Sequence, residues 1–401
     1  MKHGFIGAAF IAALSLSGLA QATELRPEVG KPLAKAKQLL AAHSYGAAMA
    51  QVRIAASAAR SSEESFVVEE MRGSIAEASG DKATAARTFA DMLASGKVPA
   101  SEEPKLMQAE IGISLEERNY PAAIGWLNKY FKAGGDSPEM RTQLISAYYQ
   151  NKDYANAAKL QAAQIAAEVK ARRVPPEQQL DLLAAADRAS GDSAGFKTAM
   201  INLVYYYPKP DYWLNLISMV ETRSGFSDRL TLDLDRFKMA IGLITKPAEY
   251  MEMAELALQV PLPGEAKTIV DKGYAAGVLG TGPEAPREKR LADLVAKTYA
   301  SEQPVLAKKE AAAQGEHDGN PLVTLGEEYC SYGQYDKGIS LIQAGQAKGD
   351  LRHPEDTKLH LGVYTMLAGK KAEAIKIFRG VGGTEGAADV AQLWVLLLNR
   401  A

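Results

Sequence analysis

The sequence predicts an all-α chain arranged as an α-solenoid, and three observations carry that prediction. Small residues recur at intervals of roughly 34–39 positions, each opening an amphipathic stretch just after a short polar turn. Apolar residues make up 47% of the chain, enough for a large buried core. The periodic segments are rich in Ala and poor in β-branched residues, so intrinsic propensity favours helix. A period of this length marks helix–turn–helix units that bury their apolar faces by stacking on neighbours. The expected architecture is a right-handed superhelix.

Residues 1–22 come first and are expected to stand outside that array. Lys2 and His3 precede an apolar run from Phe5 to Leu19, and Ala20-Gln21-Ala22 has the small-x-small pattern of a signal peptidase site. The run is too short to span a bilayer, so a cleaved export signal is expected, and the remaining chain should not span a membrane. Cys330 is the single cysteine, so no intrachain disulfide can form, and the chain holds no Asn-x-Ser/Thr acceptor. Together these features point to a periplasmic protein.

The repeats follow in order. Their turns read His43-Ser44-Tyr45-Gly46-Ala47-Ala48, Gly80-Asp81-Lys82-Ala83-Thr84-Ala85, Arg118-Asn119-Tyr120-Pro121-Ala122-Ala123 and Lys152-Asp153-Tyr154-Ala155-Asn156-Ala157. Two more close the chain, Gly333-Gln334-Tyr335-Asp336-Lys337-Gly338 and Gly369-Lys370-Lys371-Ala372-Glu373-Ala374. The last residue of each sextet is small because two helices are expected to cross closely there. Phe196, Leu230 and Ala266 continue the register. Phe196 and Leu230 break the small-residue rule, so helices around 190–245 should splay or cross at a different angle. A further slot near Glu302 matches poorly. About nine units and one degenerate unit result.

These residues resemble the tetratricopeptide repeat. Leu325-Gly326 and Tyr329 precede Gly338 at that family's distances, and Leu361-Gly362 precedes Ala374 likewise. Phe89 and Phe378 stand where the second helix places its aromatic, and Leu144 and Tyr148 lie correctly ahead of Ala157. The resemblance covers nearly all of the chain after residue 22 and is strongest at its two ends. It implies a protein-binding groove lined by first-helix residues, with Thr142, Ser146 and Tyr149 in one unit and Glu327 and Cys330 in another. The family's Lys/Asn carboxylate clamp is missing from these units. Envelope proteins of the family serve as adaptors for export, secretion or energised transport.

Two turn-rich linkers, Gly277–Pro283 and Gln314–Pro321, divide the array. The expected segments are a solenoid over 23–280, a charged helical connector over 281–317, and further repeats over 318–401. The closing run Val390–Leu398 is too apolar for an exposed terminal helix and should fold back as a cap.

Candidate chemistry is sparse. Asp356 and His360 share a helix face at i and i+4, with His353 nearby, but no third metal ligand sits at a usable spacing. Opposite charges on a solvated helix explain the pair. Asp233 and Asp235 flank Leu234 and should diverge. Glu316-His317-Asp318 lacks the closing Glu of a calcium loop and reads as a helix start. Cys330 carries no nucleophile signature. The run Tyr205-Tyr206-Tyr207-Pro208-Lys209-Pro210-Asp211-Tyr212-Trp213 reads as packing between units, with a sugar- or peptide-stacking platform as the sharper alternative.

With a formal net charge of -2, the chain has no basic stripe for nucleic acid. No catalytic set, cofactor fingerprint or metal set is expected. The reading is a non-enzymatic scaffold that holds a protein or peptide. The alternatives are a carbohydrate- or ligand-binding envelope protein, or a non-catalytic relative of superhelical cell-wall enzymes.

Overall fold

The computed structural model describes residues Leu25–Arg400, so the expected signal at 1–22 lies outside the described residues. Among these residues the structure is all-α. The chain forms two compact units that divide between Phe196 and Lys197.

The first unit holds α1 (Pro27–Ala41), α2 (Tyr45–Ala58), α3 (Ser62–Ser79), α4 (Lys82–Ala94), α5 (Glu103–Glu116), α6 (Tyr120–Lys132), α7 (Pro138–Gln150), α8 (Tyr154–Lys170) and α9 (Glu177–Ser190). Each of these packs on the next in chain order. The division falls within α10 (Ser193–Tyr206). The second unit continues with α11 (Pro210–Glu221), α12 (Thr231–Ala240), α13 (Pro247–Gln259), α14 (Pro263–Ala275), α15 (Ala285–Glu302), α16 (Leu306–Gly315) and α17 (Asn320–Ser331). It ends with α18 (Tyr335–Lys348), α19 (Pro354–Leu367), α20 (Lys371–Arg379) and α21 (Ala387–Arg400). The expected connector, 281–317, forms α15 and α16 within this unit, and the weak slot near Glu302 is a 3-10 break at Gln303–Val305.

The small-residue register is the packing register. Ala48, Ala85, Ala123, Ala157 and Ala374 are all fully buried or nearly so, and Gly338 lies against Gly326. A Cβ on Gly326 would come within 2.6 Å of the Gly338 carbonyl oxygen, so these backbones touch. The residue sixteen positions after a first-helix glycine fills the remaining space. A Cβ on Gly73 would meet the Phe89 ring at 2.7 Å, and one on Gly362 the Phe378 ring at 2.5 Å. A glycine on one helix and an aromatic on the next are thus two halves of one contact at Gly73–Phe89 and Gly362–Phe378.

The turns repeat with the same regularity. Every sextet opens on a left-handed residue: His43, Gly80, Arg118, Lys152, Gly333 and Gly369, with φ between 55° and 81°. That residue follows the end of one helix, and its successor takes the N-cap position of the next, with a side-chain cap bond in three of the six. Asp81, Asn119 and Asp153 accept from the backbone N–H of Thr84, Ala122 and Asn156 at 3.1–3.3 Å. Two residues reverse the chain, which is why the helices pack as tight hairpins.

The second unit departs from neighbour-on-neighbour stacking. The closing helix α21 packs on α19, α20 and α12. Trp394, 1% exposed, carries this closure. Its ring stacks on Phe378 at 6.0 Å between centroids and meets Phe237 edge-on at 5.1 Å, while Phe237 meets Trp213 at 5.2 Å. Leu230 is wholly buried but sits in a 3-10 turn leading into α12, which accounts for its poor fit to the register.

A left-handed φ strains any residue with a Cβ, so three of the six turns carry avoidable cost. Arg118→Gly should stabilise the first unit by on the order of 0.5–1 kcal/mol in urea unfolding, and Gly80→Ala should destabilise it by about 1 kcal/mol. Equal effects of both substitutions would contradict this turn geometry.

Candidate functional site

The groups best placed for chemistry lie inside the second unit, around α12. This ten-residue helix is apolar along Leu232, Leu234 and Phe237, yet also buries Asp233, Asp235 and Arg236. A helix buried on every side must pair its charges internally, since an unpaired buried ion costs several kcal/mol.

The pairs form one chain across four helices. Asp233 is 2% exposed and accepts from Arg236 Nη1 at 2.7 Å. Arg236 reaches α14 with a two-pronged grip on Glu265, both bonds at 2.7 Å, and approaches the Tyr364 hydroxyl of α19 at 3.5 Å. The other Asp233 oxygen meets His360 Nε2 of α19 at 3.1 Å, and His360 Nδ1 meets Glu327 of α17 at 2.6 Å. Glu265, Arg236, Asp233, His360 and Glu327 therefore stitch α14, α12, α19 and α17 together. Beside them, Arg229 binds Asp356 at 2.5 Å and Glu385 at 2.5 Å. Asp235 turns away to Lys238, as its spacing from Asp233 predicts.

His360 and Asp356 are thus members of two separate ion pairs directed into the unit. The expectation of a solvated helix face is corrected here, because His360 pairs with Asp233 and Asp356 with Arg229, both far off in sequence. Burial opposes a charge on His360, but the carboxylates of Asp233 and Glu327 outweigh it and hold the imidazolium well above the usual histidine range. With a proton committed to a carboxylate at each nitrogen, the ring has no lone pair to take a proton or bind a metal. The cluster is a clamp. Among the described residues no group of three or more His, Cys, Asp or Glu is arranged to hold a metal ion.

A cavity of about 230 Å³ adjoins the clamp, with Arg236, Glu265, Cys330, Tyr335, Tyr364 and Trp394 among its walls. Cys330 is 2% exposed, and burial, helped by Glu327, pushes its thiol up to about 12. It is a protonated packing group pressed against Gly338. A larger cleft, about 630 Å³, opens between α10 and α11 on one side and α20 and α21 on the other.

The residues expected to line a groove separate into two groups. Thr142 is exposed, and Ser146 and Tyr149 are half-buried, all on one side of α7 in the first unit. Tyr149 packs edge-on against Tyr154 at 5.2 Å. Glu327 and Cys330 do not present a surface: Glu327 is bonded to His360, and Cys330 is enclosed. Their assignment as partner-binding residues is corrected, because α17 turns this face inward against α18 and α19. The aromatic run divides as well. Trp213 enters the core, while Tyr205 stays 45% exposed and lines the larger cleft. Glu316–Asp318 is a helix start, with Asp318 accepting from the Asn320 backbone at 2.8 Å.

Sequence reading missed the clamp. Its visible trace is three charges, Asp233, Asp235 and Arg236, set inside the apolar run Leu230–Phe237 where a core helix carries none.

No family model matches the chain, and no curated protein matches it. Several solved structures align with most of the chain at low identity. A tetratricopeptide repeat protein from Parabacteroides merdae aligns at TM-score 0.31 and 10% identity, covering 84% of this chain and 99% of that one. Yeast Tom70 aligns at 0.25 and 12%, covering 92% and 95%. The TPR2AB domain of yeast Sti1, solved as a pHSP90 complex, aligns at 0.24 and 12%, covering 74% and 98%.

The clamp gives the second unit a signed pH dependence. A histidine whose folded pKa is raised above 6.5 stabilises fully below that pH, and its contribution is lost as pH rises through the folded value. The stability difference between wild type and His360→Gln, from urea unfolding, should therefore be flat below about pH 6.5 and shrink at alkaline pH. A difference that grows with pH would contradict the paired imidazolium.

Proposed function

We propose that this chain is a non-catalytic interaction scaffold that holds a protein or peptide along first-helix positions of its first unit. The observation that supports this reading is the shared register of α3, α5 and α7. Because Ala85, Ala123 and Ala157 occupy equivalent buried slots, positions at equal distances before them fall on equivalent faces. Those positions are Glu70 and Glu77, Gln108 and Leu115, Thr142 and Tyr149. All six keep solvent access while the neighbouring turns of each helix are buried. A periodic, accessible face that repeats from helix to helix suits an extended partner, since each unit adds a similar increment of contact.

The chemistry of the stripe favours a partner with basic and aromatic or apolar groups. Burial pushes the carboxyls of Glu70 and Glu77 up, so both are partly dehydrated and would gain from a cation brought opposite them. Tyr149 offers a large rigid surface of the kind that anchors interfaces.

A periplasmic address belongs to this proposal, resting on the apolar run and small-x-small site of residues 1–22. Among the described residues no helix is long and apolar enough to cross a membrane. Service to an envelope transport or secretion system is the role that this address and the repeat resemblance suggest.

The test joins hydrogen exchange to a double substitution. A bound partner should slow exchange along α3, α5 and α7, and Thr142→Ala with Tyr149→Ala should weaken its capture about tenfold or more while leaving thermal unfolding nearly unchanged. Protection confined to α4, α6 and α8 would overturn the assignment of this face.

A further inference from the structure

The cleft of about 630 Å³ in the second unit is lined mostly by apolar groups, and it is too large to be ordinary packing slack. Close-packed interiors leave few voids larger than a water molecule, and this cleft is also well above the cavity of about 230 Å³ beside the clamp. A space of this size falls within the range of small-molecule sites.

Its two walls are held apart at fixed points. Near one end of α21, Asp389 binds both Lys197 of α10, at 3.3 Å, and Arg223, and Arg223 also donates to the Thr384 carbonyl at 2.8 Å. At the other end, Arg400 Nε donates to the Tyr205 carbonyl at 3.0 Å. Between these clasps Leu393 and Leu396 of α21 face the cleft opposite Ile201, Leu216 and Val220. The helix is pinned at its first and last turns, so the gap is a built space and not a frayed end.

The lining selects a chemical class. Neutral hydrogen-bonding side chains are three, Gln392, Asn399 and Tyr205, which is poor provision for a sugar with its many hydroxyls. Charge on the rim is unbalanced: Lys197, Arg223 and Arg379 stand against Asp389 alone. Arg379 is exposed in the last turn of α20 and makes no ion pair among the described residues. An aliphatic body with one anionic head satisfies both features. The chain would fill the apolar trough and the head would meet Arg379 beside the Lys197–Arg223–Asp389 cluster.

We infer that this cleft binds a single-chain amphiphile of the long-chain carboxylate class. The site is independent of the first-unit stripe, so either assignment can fail alone.

Titration of the mature chain with palmitate, hexadecanol and hexadecyltrimethylammonium tests it. Palmitate should bind saturably, one per chain, and more tightly than either analogue. Leu396→Trp, which adds bulk from a half-buried position, should weaken palmitate at least about tenfold, and Met219→Trp should do the same from the opposite wall. Arg379→Glu should weaken palmitate about fivefold or more and leave hexadecanol unchanged. Circular dichroism and thermal unfolding identify any variant that misfolds, and the remaining variant then decides. Absence of saturable palmitate binding, equal binding of all three head groups, or indifference to a folded tryptophan variant would each overturn the proposal.

Discussion

Everything in this molecule rests on how closely two helices can cross at one residue. At Gly338 the backbone of the preceding helix lies within contact distance, and Ala48, Ala85, Ala123, Ala157 and Ala374 fill the equivalent slots with almost no exposure. That single restriction sets the rest. It brings the helices near enough for a bulky residue sixteen positions after the first-helix glycine to seat in the opposite groove. It also forces the chain to reverse in two residues, which puts a left-handed backbone at His43, Arg118 and Lys152 despite their side chains. Those residues tolerate the strain because the turn around them is fixed by hydrogen bonds on both sides, such as Asp153 N to the Tyr148 carbonyl at 2.9 Å.

In the second unit the same hairpins are joined by a different force. Trp394, Phe237 and Phe378 form an apolar centre, and Glu265, Arg236, Asp233, His360 and Glu327 run beside it as a chain of alternating charge. Ion pairs of this kind add little net stability over an apolar core of equal volume, but losing one partner leaves a buried charge exposed to its full desolvation cost. Their effect is selective. From one placement of α12, Arg236 reaches Glu265 of α14 and Asp233 reaches His360 of α19. The aromatic contacts lie in the core, and beside them the charges tie α12 to α14 and α19.

The repeats were legible because their rule is local. Small residue, polar turn and capping residue stand within one sextet, and each sextet folds the same way wherever it occurs. What escaped depends on contacts between residues far apart in sequence. His360 is 127 positions from Asp233, so nothing near either residue shows that they meet. The repeat pattern puts Glu327 and Cys330 near a surface, yet Glu327 bonds to His360 of α19 and Cys330 is enclosed. The cleft beside α21 was equally hidden, for it exists only between α10–α11 and a helix nearly two hundred residues later. Tyr205 and Trp213, neighbours in one aromatic run, go to opposite fates because α11 begins between them.

The central claim is that the recurring small residue is a steric necessity at the helix crossing. Urea unfolding of Ala157→Leu against Ala155→Leu tests it most directly, because both replace Ala by Leu within the same first turn of α8. Ala157 has no solvent exposure, while Ala155 faces water. The account predicts a loss of about 1–3 kcal/mol for Ala157→Leu, against a change within about 0.5 kcal/mol for Ala155→Leu. Indistinguishable stabilities for the two variants would contradict it.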